Sequence, residues 1–571
     1  MSKSVAKIIT ETLQAAGAKR CYGVAGDTIN HFTDEIRKSD IRWVHVRHEE
    51  VGGFAAGGEA YMTGELALCA GSCGPGSLHF VNGLFETHRN GAPVVMIASN
   101  IARNEEGLGF PQEVDQKAIY QQCSVFCEKI NHPDQARRIT AMAAQAALTK
   151  HGLAVIIVNG DMFTETSSDA LAWSVHRPHP VTVPAPTELA ELAQMIDQAQ
   201  RPVIYAGIGA RKARPELIAL AEKIRAPIVH TTRAKEFIEP DNPWQVGMTG
   251  ILGNRAGMEA VAHCDLMLCL GTDFAYTQFY PDAAKIAQVD IDPAAIGRRA
   301  PVDLGLVGDV AATVQALLPQ LAPHSDTSWL RKAVEQYHKD LEGYGREARE
   351  PDPSLIHPQA LTLALNSHAA EDAIFTADAG SPMVWMLRQI RAKGQRRFLT
   401  SLLHGTMANA YPQAIGIQKA YPERQVIAMC GDGGLSMLMG DLLTLRQENV
   451  PIKIAIYNNS TLGFVEMEQR VEGLLDAFTD LENPDFGEVA RAIGLWGQRV
   501  ETATDLPQAV TDWLAQPGPA VLDVRTSRME LVMPPKIQAA QVASTALFGA
   551  KAVAKGRTKE VVDLLADNFL R

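Results

Sequence analysis

The stretch that most constrains this chain is residues 426–464, where two short apolar runs flank a glycine-rich turn and a helical segment. Residues 426–430 predict one buried strand and residues 452–457 predict a second. Between them, a Gly-Asp-Gly-Gly turn at 431–434 opens a helix that we expect to reach about Glu448. Strand, helix and strand in this order predict a βαβ unit, which binds ligands at the carboxyl ends of its parallel strands.

Polar groups stand at those carboxyl ends. Asp432 offers a carboxylate after the first strand, and Asn459, the second of two adjacent asparagines, offers an amide oxygen after the next. Mg²⁺ takes oxygen ligands in a near-octahedral shell that it shares with phosphates. Gly431, Gly433 and Gly434 carry no side chains, so their backbone can approach a phosphate closely. A lone turn of this kind is more often an ordinary strand–turn–helix, but the asparagine pair favours a magnesium–phosphate site.

The size and charge of the chain narrow its class. With 571 residues we expect three domains of roughly 150–200 residues each. A net charge of −12 argues against general nucleic-acid binding, which needs a basic footprint. The chain opens with no signal peptide and has no apolar run of about 18 residues that could span a bilayer. Its eight cysteines predict reduced, structural thiols in a cytoplasmic protein, and Cys123 and Cys127 lack the further ligands of a zinc site.

The turn followed by the asparagine pair resembles the thiamine diphosphate fingerprint, and the whole chain resembles the bacterial quinone-linked pyruvate oxidases. The resemblance implies an α/β fold of three doubly wound parallel-sheet domains followed by a C-terminal amphipathic tail. We expect a pyrimidine-binding domain at 1–178, an FAD-binding domain at 187–335 and a diphosphate- and magnesium-binding domain at 356–525. The tail would comprise 526–571, and a proline-rich linker at 176–186 would separate the first two domains.

The same resemblance implies catalytic residues. Glu49 follows a predicted strand in an Arg-His-Glu motif and would hydrogen-bond the pyrimidine ring of the cofactor, with Glu50 as the competing assignment. A glutamate at such a strand–helix junction is more commonly a partner of the helix N-terminus. Gln112 and Phe464 match substrate-side residues of the family. Pro111 stands where relatives carry an aromatic residue, which leaves the preferred 2-keto acid open.

Further residues follow from the resemblance as cofactor and metal contacts. Mg²⁺ would bind Asp432, Asn459 and a backbone carbonyl near Thr461, and Met407 would support thiamine diphosphate between its two rings. The other expected neighbours of thiamine diphosphate are Gly380, Gly405, Thr406, Gly433 and Gly434. The expected FAD contacts are Gly250, Ile251, Leu252, Gly253, Asp273, Phe274, Ala275, Tyr276, Thr277, Ile291, Asp292 and Pro293. A Gly-x-Gly-Ala run at 207–210 is too weak a signal to predict a Rossmann NAD site.

The function implied is oxidative decarboxylation of pyruvate to acetate and CO₂, with electrons passing through FAD to a ubiquinone-type membrane quinone. A basic, amphipathic stretch such as 539–571 could bind a phospholipid surface or simply dock on its own protein. The resemblance implies both in sequence: the tail is docked at rest and is released to bind lipid when substrate reduces the flavin. We expect a homotetramer, cytoplasmic and peripherally associated with the inner face of the cell membrane, with cofactors held between subunits. The alternatives are an acetohydroxyacid synthase-type carboligase with structural FAD and a catalytically silent lipid- or protein-binding relative.

Overall fold

Three six-stranded sheets organise the chain, and every strand pair within them is parallel. The computed structural model describes residues 2–168, 171, 173–345, 355–528, 530, 539–555, 557–558, 561–562 and 564. Helices cover the sheets, and all eight cysteines are free, seven of them buried. The predicted fold of three parallel-sheet α/β domains is confirmed.

The first sheet belongs to residues that precede the proline-rich linker. The strands here are β1 (Lys3–Ser4), β2 (Arg20–Gly23), β3 (Arg42–His45), β4 (Ala67–Gly71), β5 (Val94–Asn100), β6 (Phe126–Ile130), β7 (Leu153–Asn159) and β8 (Thr166–Ser167). The helices are α1 (Val5–Ala15), α2 (Asn30–Arg37), α3 (Glu49–Thr63), α4 (Pro75–Leu78), α5 (Val81–Arg89), α6 (Gln116–Tyr120) and α7 (Ala136–Lys150). The sheet order is β3-β2-β4-β5-β7-β6, and β1 pairs separately with β8.

The middle sheet has a different strand order. Its strands are β9 (Pro202–Ala206), β10 (Ile228–His230), β11 (Gln245–Met248), β12 (Leu266–Leu270), β13 (Lys285–Asp290) and β14 (Leu304–Val307). Its helices are α8 (Pro186–Gln198), α9 (Arg214–Ile224), α10 (Lys235–Ile238), α11 (Arg255–His263), α12 (Val310–Leu317) and α13 (Ser328–Gly343). The order β11-β10-β9-β12-β13-β14 is the 3-2-1-4-5-6 arrangement of dinucleotide-binding domains. The glycine motif alone had not predicted this order.

The third sheet repeats the order of the first. Its strands are β15 (Ile374–Ala377), β16 (Arg397–Thr400), β17 (Val426–Gly431), β18 (Lys453–Asn458), β19 (Trp496–Val500) and β20 (Ala520–Arg525). Its helices are α14 (Pro358–His368), α15 (Ser381–Gln389), α16 (Ala410–Ala420), α17 (Asp432–Leu438), α18 (Leu442–Gln447), α19 (Gly463–Val471), α20 (Phe486–Ala492) and α21 (Leu506–Leu514), and α22 (Ala539–Ala554) follows. The order β16-β15-β17-β18-β20-β19 reads 2-1-3-4-6-5 within the domain, as in the first sheet.

One helix prediction near the site was wrong in detail. The helix expected to run to about Glu448 is interrupted by a tight turn at Met439–Asp441. There the carboxylate of Asp441 accepts hydrogen bonds from the backbone N–H groups of Arg47 and His48, both at 2.8 Å. The interruption therefore turns a third-domain carboxylate toward the start of α3. Met407 lies in the loop before α16.

Small residues let the first and third domains pack closely through α3 and α16. A Cβ atom on Gly416 would lie 1.8 Å from the carbonyl oxygen of Ala55, and one on Gly58 would lie 2.5 Å from that of Gln413. Side chains from both domains, such as Val51 and Ile415, share one buried apolar cluster. This contact fixes the position of α3, which begins at Glu49, relative to the third sheet.

Candidate active site

A cavity opens at the carboxyl edge of the third sheet, between neighbouring strands β15 and β17. Ligands of open α/β sheets bind at this kind of switch point, where the strand order reverses. The cavity measures about 650 Å³ with its open mouth included. Its lining, within the part of the chain that the structure describes, comes entirely from the third domain and the residues just after it, from Pro358 to Glu530.

Asp432 is the first residue of α17 and lines the cavity. One carboxylate oxygen accepts from the N–H of Gly433 at 2.9 Å. The other accepts from the N–H of Ser460 at 2.7 Å and from Nδ2 of Asn483 at 2.8 Å. Burial raises the pKa of Asp432 to about 6. The sequence did not predict the role of Asn483, because nothing in the motif indicates a residue about 50 positions downstream.

The other two predicted metal ligands line the same cavity. Asn459 accepts through Oδ1 from the N–H of Thr461 at 3.2 Å, and Ser460 between them adopts a left-handed φ of 57°. This tight bend after β18 brings the Thr461 backbone to the cavity. A carboxylate, an amide oxygen and a backbone carbonyl are the donors that Mg²⁺ takes when phosphate and water complete its shell. The donor set therefore fits Mg²⁺.

Glycines and Met407 shape the floor of the cavity beside Asp432. A Cβ atom on Gly433 would lie 3.2 Å from Cε of Met407, and one on Gly434 would lie 2.3 Å from Oδ2 of Asp378. Gly380, at a φ of 135°, opens α15 on the opposite wall. The Met407 side chain thus lies next to the glycine turn, and its role in supporting thiamine diphosphate stays a prediction.

Asp378 is a site residue that the sequence reasoning missed. Its carboxylate accepts from the N–H groups of Ala410 at 2.9 Å and Gly431 at 3.1 Å. It is fully buried, and burial raises its pKa to about 7. Asp378 thus ties the end of β15 both to the start of α16 and to the diphosphate turn.

Gly405 and Thr406 lie outside the cavity lining. Thr406 instead accepts through its hydroxyl from Nδ2 of Asn82 at 3.0 Å, and His404 bonds Oδ1 of the same asparagine at 2.8 Å. This loop is therefore a contact with α5 of the first domain, one residue before Met407. Whether Gly405 and Thr406 touch a cofactor stays a prediction.

Glu49 begins α3 at the carboxyl edge of the first sheet. Its Oε2 lies 2.9 Å from Nδ1 of His79, and its Oε1 lies 3.7 Å from the place of a Cβ atom on Gly76. Glu50, the competing candidate, accepts from Nδ2 of Asn82 at 2.6 Å and so belongs to the contact with the third domain. Glu49 alone of the two faces the glycine-rich turn after β4.

Gln112 and Phe464 lie at two different sheet edges. Gln112 has a φ of 70° and accepts through Oε1 from the thiol of Cys73, whose Sγ lies 3.1 Å away in the turn after β4. Phe464 is the second residue of α19 and lines the cavity. The structure thus gathers the predicted metal ligands, Met407 and Phe464 in one cavity, whereas Glu49 and Gln112 lie at a separate edge on the first domain.

The residues predicted to bind FAD follow the strands of the middle sheet. Gly250, at a φ of 90°, begins a turn that ends at Gly253 and lies against the ring of Phe274. The side chains of Tyr276 and Ile291 are 45% and 56% exposed at this edge. Asp273 pairs with Arg298, and Arg299 lies 3.6 Å from the same carboxylate oxygen.

One buried polar atom supports a ligand at this edge. The hydroxyl of Thr249, immediately before the Gly250 turn, is buried and has no hydrogen-bond partner among the described residues. A buried hydroxyl normally finds a partner. The strand order, the glycine turn, the carboxylates of Asp273 and Asp292 and this hydroxyl fit a dinucleotide such as FAD. The sequence pattern contained no signal for Arg298.

The described part of the predicted tail docks against the helix that carries Phe464. Phe548 and Ala552 of α22 are fully buried, and Phe548 lies 5.3 Å from the guanidinium of Arg470 in α19. Arg557 pairs with Asp476 at 2.7 Å. The described helices include none long and apolar enough to cross a bilayer. Other tail residues, 531–538 and 565–571 among them, lie outside the described residues.

Sequence comparisons match all three domains. Residues 3–119, 189–317 and 378–524 match the N-terminal, central and C-terminal domains of thiamine pyrophosphate enzymes. The Bacillus subtilis protein YdaP, described as thiamine pyrophosphate-containing, is 35% identical over 532 residues, which cover 91% of each chain.

Two enzymes of different activity are about equally similar. Pyruvate oxidase of Lactiplantibacillus plantarum is 28% identical over 90% of this chain and 87% of its own. The large subunit of acetolactate synthase isozyme 2 of Escherichia coli is 28% identical over 93% of this chain and 96% of its own. Together with the cavity and its ligand set, these matches show that the chain belongs to the thiamine pyrophosphate enzyme family.

Proposed function

We propose that this protein oxidatively decarboxylates pyruvate and passes the electrons through FAD to a membrane quinone. Pyruvate, water and quinone would give acetate, CO₂ and quinol. When bound, thiamine diphosphate supplies an electron sink for the bond that breaks as CO₂ leaves, and FAD supplies a two-electron acceptor. Pyruvate oxidase and acetolactate synthase relatives both support a 2-keto acid substrate.

The residues of this chain would divide the work. Asp432, Asn459 and the Thr461 carbonyl would hold Mg²⁺, and Met407 would fix the cofactor above the glycine turn. Glu49, only 12% exposed and bonded to His79, would hold and release a proton at the pyrimidine ring. Phe464 would exclude water at the mouth of the cavity.

Subunit pairing is part of the proposal. Glu49 does not line the cavity of its own chain, so a second copy would supply the carboxyl to each cofactor. This arrangement requires at least a dimer, and we propose a homotetramer. The protein would be cytoplasmic and would associate with the inner face of the cell membrane when active.

The observation that favours an oxidase over a carboligase is the docked C-terminal helix. The α22 helix packs on α19, the helix that carries Phe464, and Leu547, Val553 and Val562 of this region are each about half exposed. A carboligase does not need a tail that binds membranes. An enzyme that delivers electrons to a membrane quinone must reach the membrane surface, and an amphipathic tail provides this contact. The tail therefore supports electron transfer at a membrane.

The deciding experiment mixes the protein, reconstituted with thiamine diphosphate, Mg²⁺ and FAD, with pyruvate under anaerobic conditions. We expect the flavin absorbance to bleach and acetate to form in proportion to an added quinone. Formation of acetolactate with oxidised flavin would contradict the proposal and support the carboligase. The absence of any turnover would support the catalytically silent alternative.

A truncation tests the role of the tail. Deleting the residues after 541 should preserve turnover with a soluble dye as acceptor and abolish activation by phospholipid vesicles. Continued activation of the truncated protein by vesicles would refute the membrane part of the proposal. The full-length protein with the same dye is the matched control.

A further inference from the structure

Arg388 joins the wall of the thiamine cavity to the FAD segment of the middle domain. Arg388 lies on α15, and its Nε and Nη2 lie 3.3 Å and 3.2 Å from the carbonyl oxygens of Leu252 and Ile251. Both carbonyls belong to the turn predicted to contact FAD. The planar guanidinium has several N–H donors in a fixed fork and can donate to two consecutive carbonyls at once. A lysine ammonium lacks this forked geometry.

The same helix forms part of the cavity. Ser381, Pro382 and Trp385 of α15 line it, and Trp385 lies three positions before Arg388. Residues three apart on a helix share a face. One rigid helix therefore contacts the thiamine site with its first two turns and the flavin segment with its last.

Apolar packing strengthens this junction. Met248, which ends β11 of the middle sheet, is 4% exposed and belongs to the buried cluster of the third domain. Leu252 packs against the same cluster. The segment between them contains the Thr249 hydroxyl, which has no hydrogen-bond partner in the described part of the chain, and the left-handed Gly250. Residues 248–253 therefore belong to the middle domain but pack against the third domain.

We propose that Arg388 is a positioning residue that fixes residues 248–253, and through them the bound flavin, at a set distance from the thiamine cavity. This inference rests on the proposed function insofar as it concerns electron transfer between the two cofactors. Reaction partners displaced by about 1 Å can lose about 100-fold in rate. The Arg388 contact between the two cofactor-binding segments therefore affects electron transfer more than it affects the binding of either cofactor alone.

The test replaces Arg388→Gln and measures FAD and thiamine diphosphate binding to the apoprotein by fluorescence titration. We expect FAD affinity to fall about 10- to 100-fold, since two hydrogen bonds from a charged donor are lost. Thiamine diphosphate affinity should remain within about twofold. Arg331→Gln, an exposed change on α13 of the middle domain, is the matched control and should alter neither.

Two further variants separate positioning from a folding defect. Arg388→Lys keeps the charge but not the fork and should give an intermediate FAD affinity. Leu252→Ala removes the packing of the same turn and should reproduce the selective loss of FAD. Unchanged FAD affinity in Arg388→Gln, or an equal loss of both cofactors in all three variants, would overturn the inference.

Flavin reduction supplies the second readout. With FAD saturating, pyruvate should bleach the flavin of Arg388→Gln about 100-fold more slowly than that of the wild type, while release of the first CO₂ per site keeps its rate. An unchanged bleaching rate would contradict the positioning role. If the wild-type flavin is not reduced at all, the proposed function fails, and the FAD titration still decides the role of Arg388.

Discussion

The carboxyl edges of the third and middle sheets look alike in composition but differ in charge pairing. Each has a glycine turn and an aspartate after a buried parallel strand. Among the described residues, Asp432 accepts hydrogen bonds only from neutral donors, and its pKa is raised by burial. Asp273, in contrast, is paired with Arg298. An uncompensated buried carboxylate suits a metal ion, whereas one already neutralised by arginine suits the hydroxyls of a ribose.

The strand order adds a second difference. The middle sheet has the dinucleotide arrangement, and the first and third sheets share another one. Two sheets of the same order nevertheless contribute different parts, because the first presents Glu49 and the third presents the predicted metal ligands. Topology therefore decides where a ligand binds, and the charges at the edge decide which part of it binds there.

The largest expected effect concerns the carboxyl of the first sheet. Glu49→Gln should slow flavin reduction by pyruvate by about 10²- to 10⁴-fold, because a positioned acid–base group is lost. Binding of thiamine diphosphate and FAD should be retained. Rapid-mixing absorbance of the flavin measures the rate, and an unchanged rate would remove Glu49 from its role. Glu50→Gln, in the contact with Asn82, should have a much smaller effect.

Asp378 allows a pH test of the third edge without any cofactor. In the folded protein burial raises the pKa of Asp378 to about 7, whereas in the unfolded chain this carboxyl has the ordinary aspartate pKa of 3.8. This stabilising contribution is full below about pH 3.8 and is lost as the pH rises through 7. Between pH 5 and pH 8, Asp378→Asn should gain on the order of 3 kcal/mol in unfolding free energy relative to the wild type. Urea denaturation of both apoproteins at several pH values measures their unfolding free energies. If the difference between variant and wild type did not change with pH, the raised pKa of Asp378 would be contradicted.

A reciprocal pair of substitutions tests the charge comparison directly. Asp432→Asn should weaken Mg²⁺-dependent binding of thiamine diphosphate by more than about 100-fold, because even supporting groups around a metal ligand are worth 10- to 100-fold. FAD binding should be unaffected. Asp273→Asn should show the reverse pattern, with a smaller loss for FAD alone. Titration calorimetry with each cofactor measures both, and loss of both cofactors in either variant would break the comparison.

The smallest effect comes from two glycines of the diphosphate turn. An alanine Cβ at 434 would lie 2.3 Å from Oδ2 of Asp378, whereas the nearest atom to one at 431 is 3.8 Å away. Gly434→Ala should therefore cost about 1–3 kcal/mol in unfolding free energy and weaken cofactor binding. Gly431→Ala should leave the unfolding free energy of the apoprotein nearly unchanged. Thermal unfolding with and without cofactor distinguishes them, and equal behaviour would show that the turn can relax.

Much of the fold followed from local pattern. The strands around 426–458 were predicted to within a residue or two, because a continuous apolar run between turn residues leaves few alternatives. The break at Met439–Asp441 was missed, because its cause is a contact with Arg47 and His48 almost 400 positions away. The cavity position of Asp432, Asn459 and Thr461 agrees with the prediction, whereas their role as metal ligands stays a prediction.

The sequence by itself determined the glycine turn, the polar oxygen-bearing residues Asp432 and Asn459 after two neighbouring strands, and the family, since these depend on residue type and short spacing. Only the tertiary structure decided that Asp378 and Asn483 support the site, that Arg388 joins two domains and that the described tail helix docks on α19. These contacts link residues far apart in the chain. Local propensity cannot specify them, because burial and hydrogen bonding are settled only when whole domains pack together.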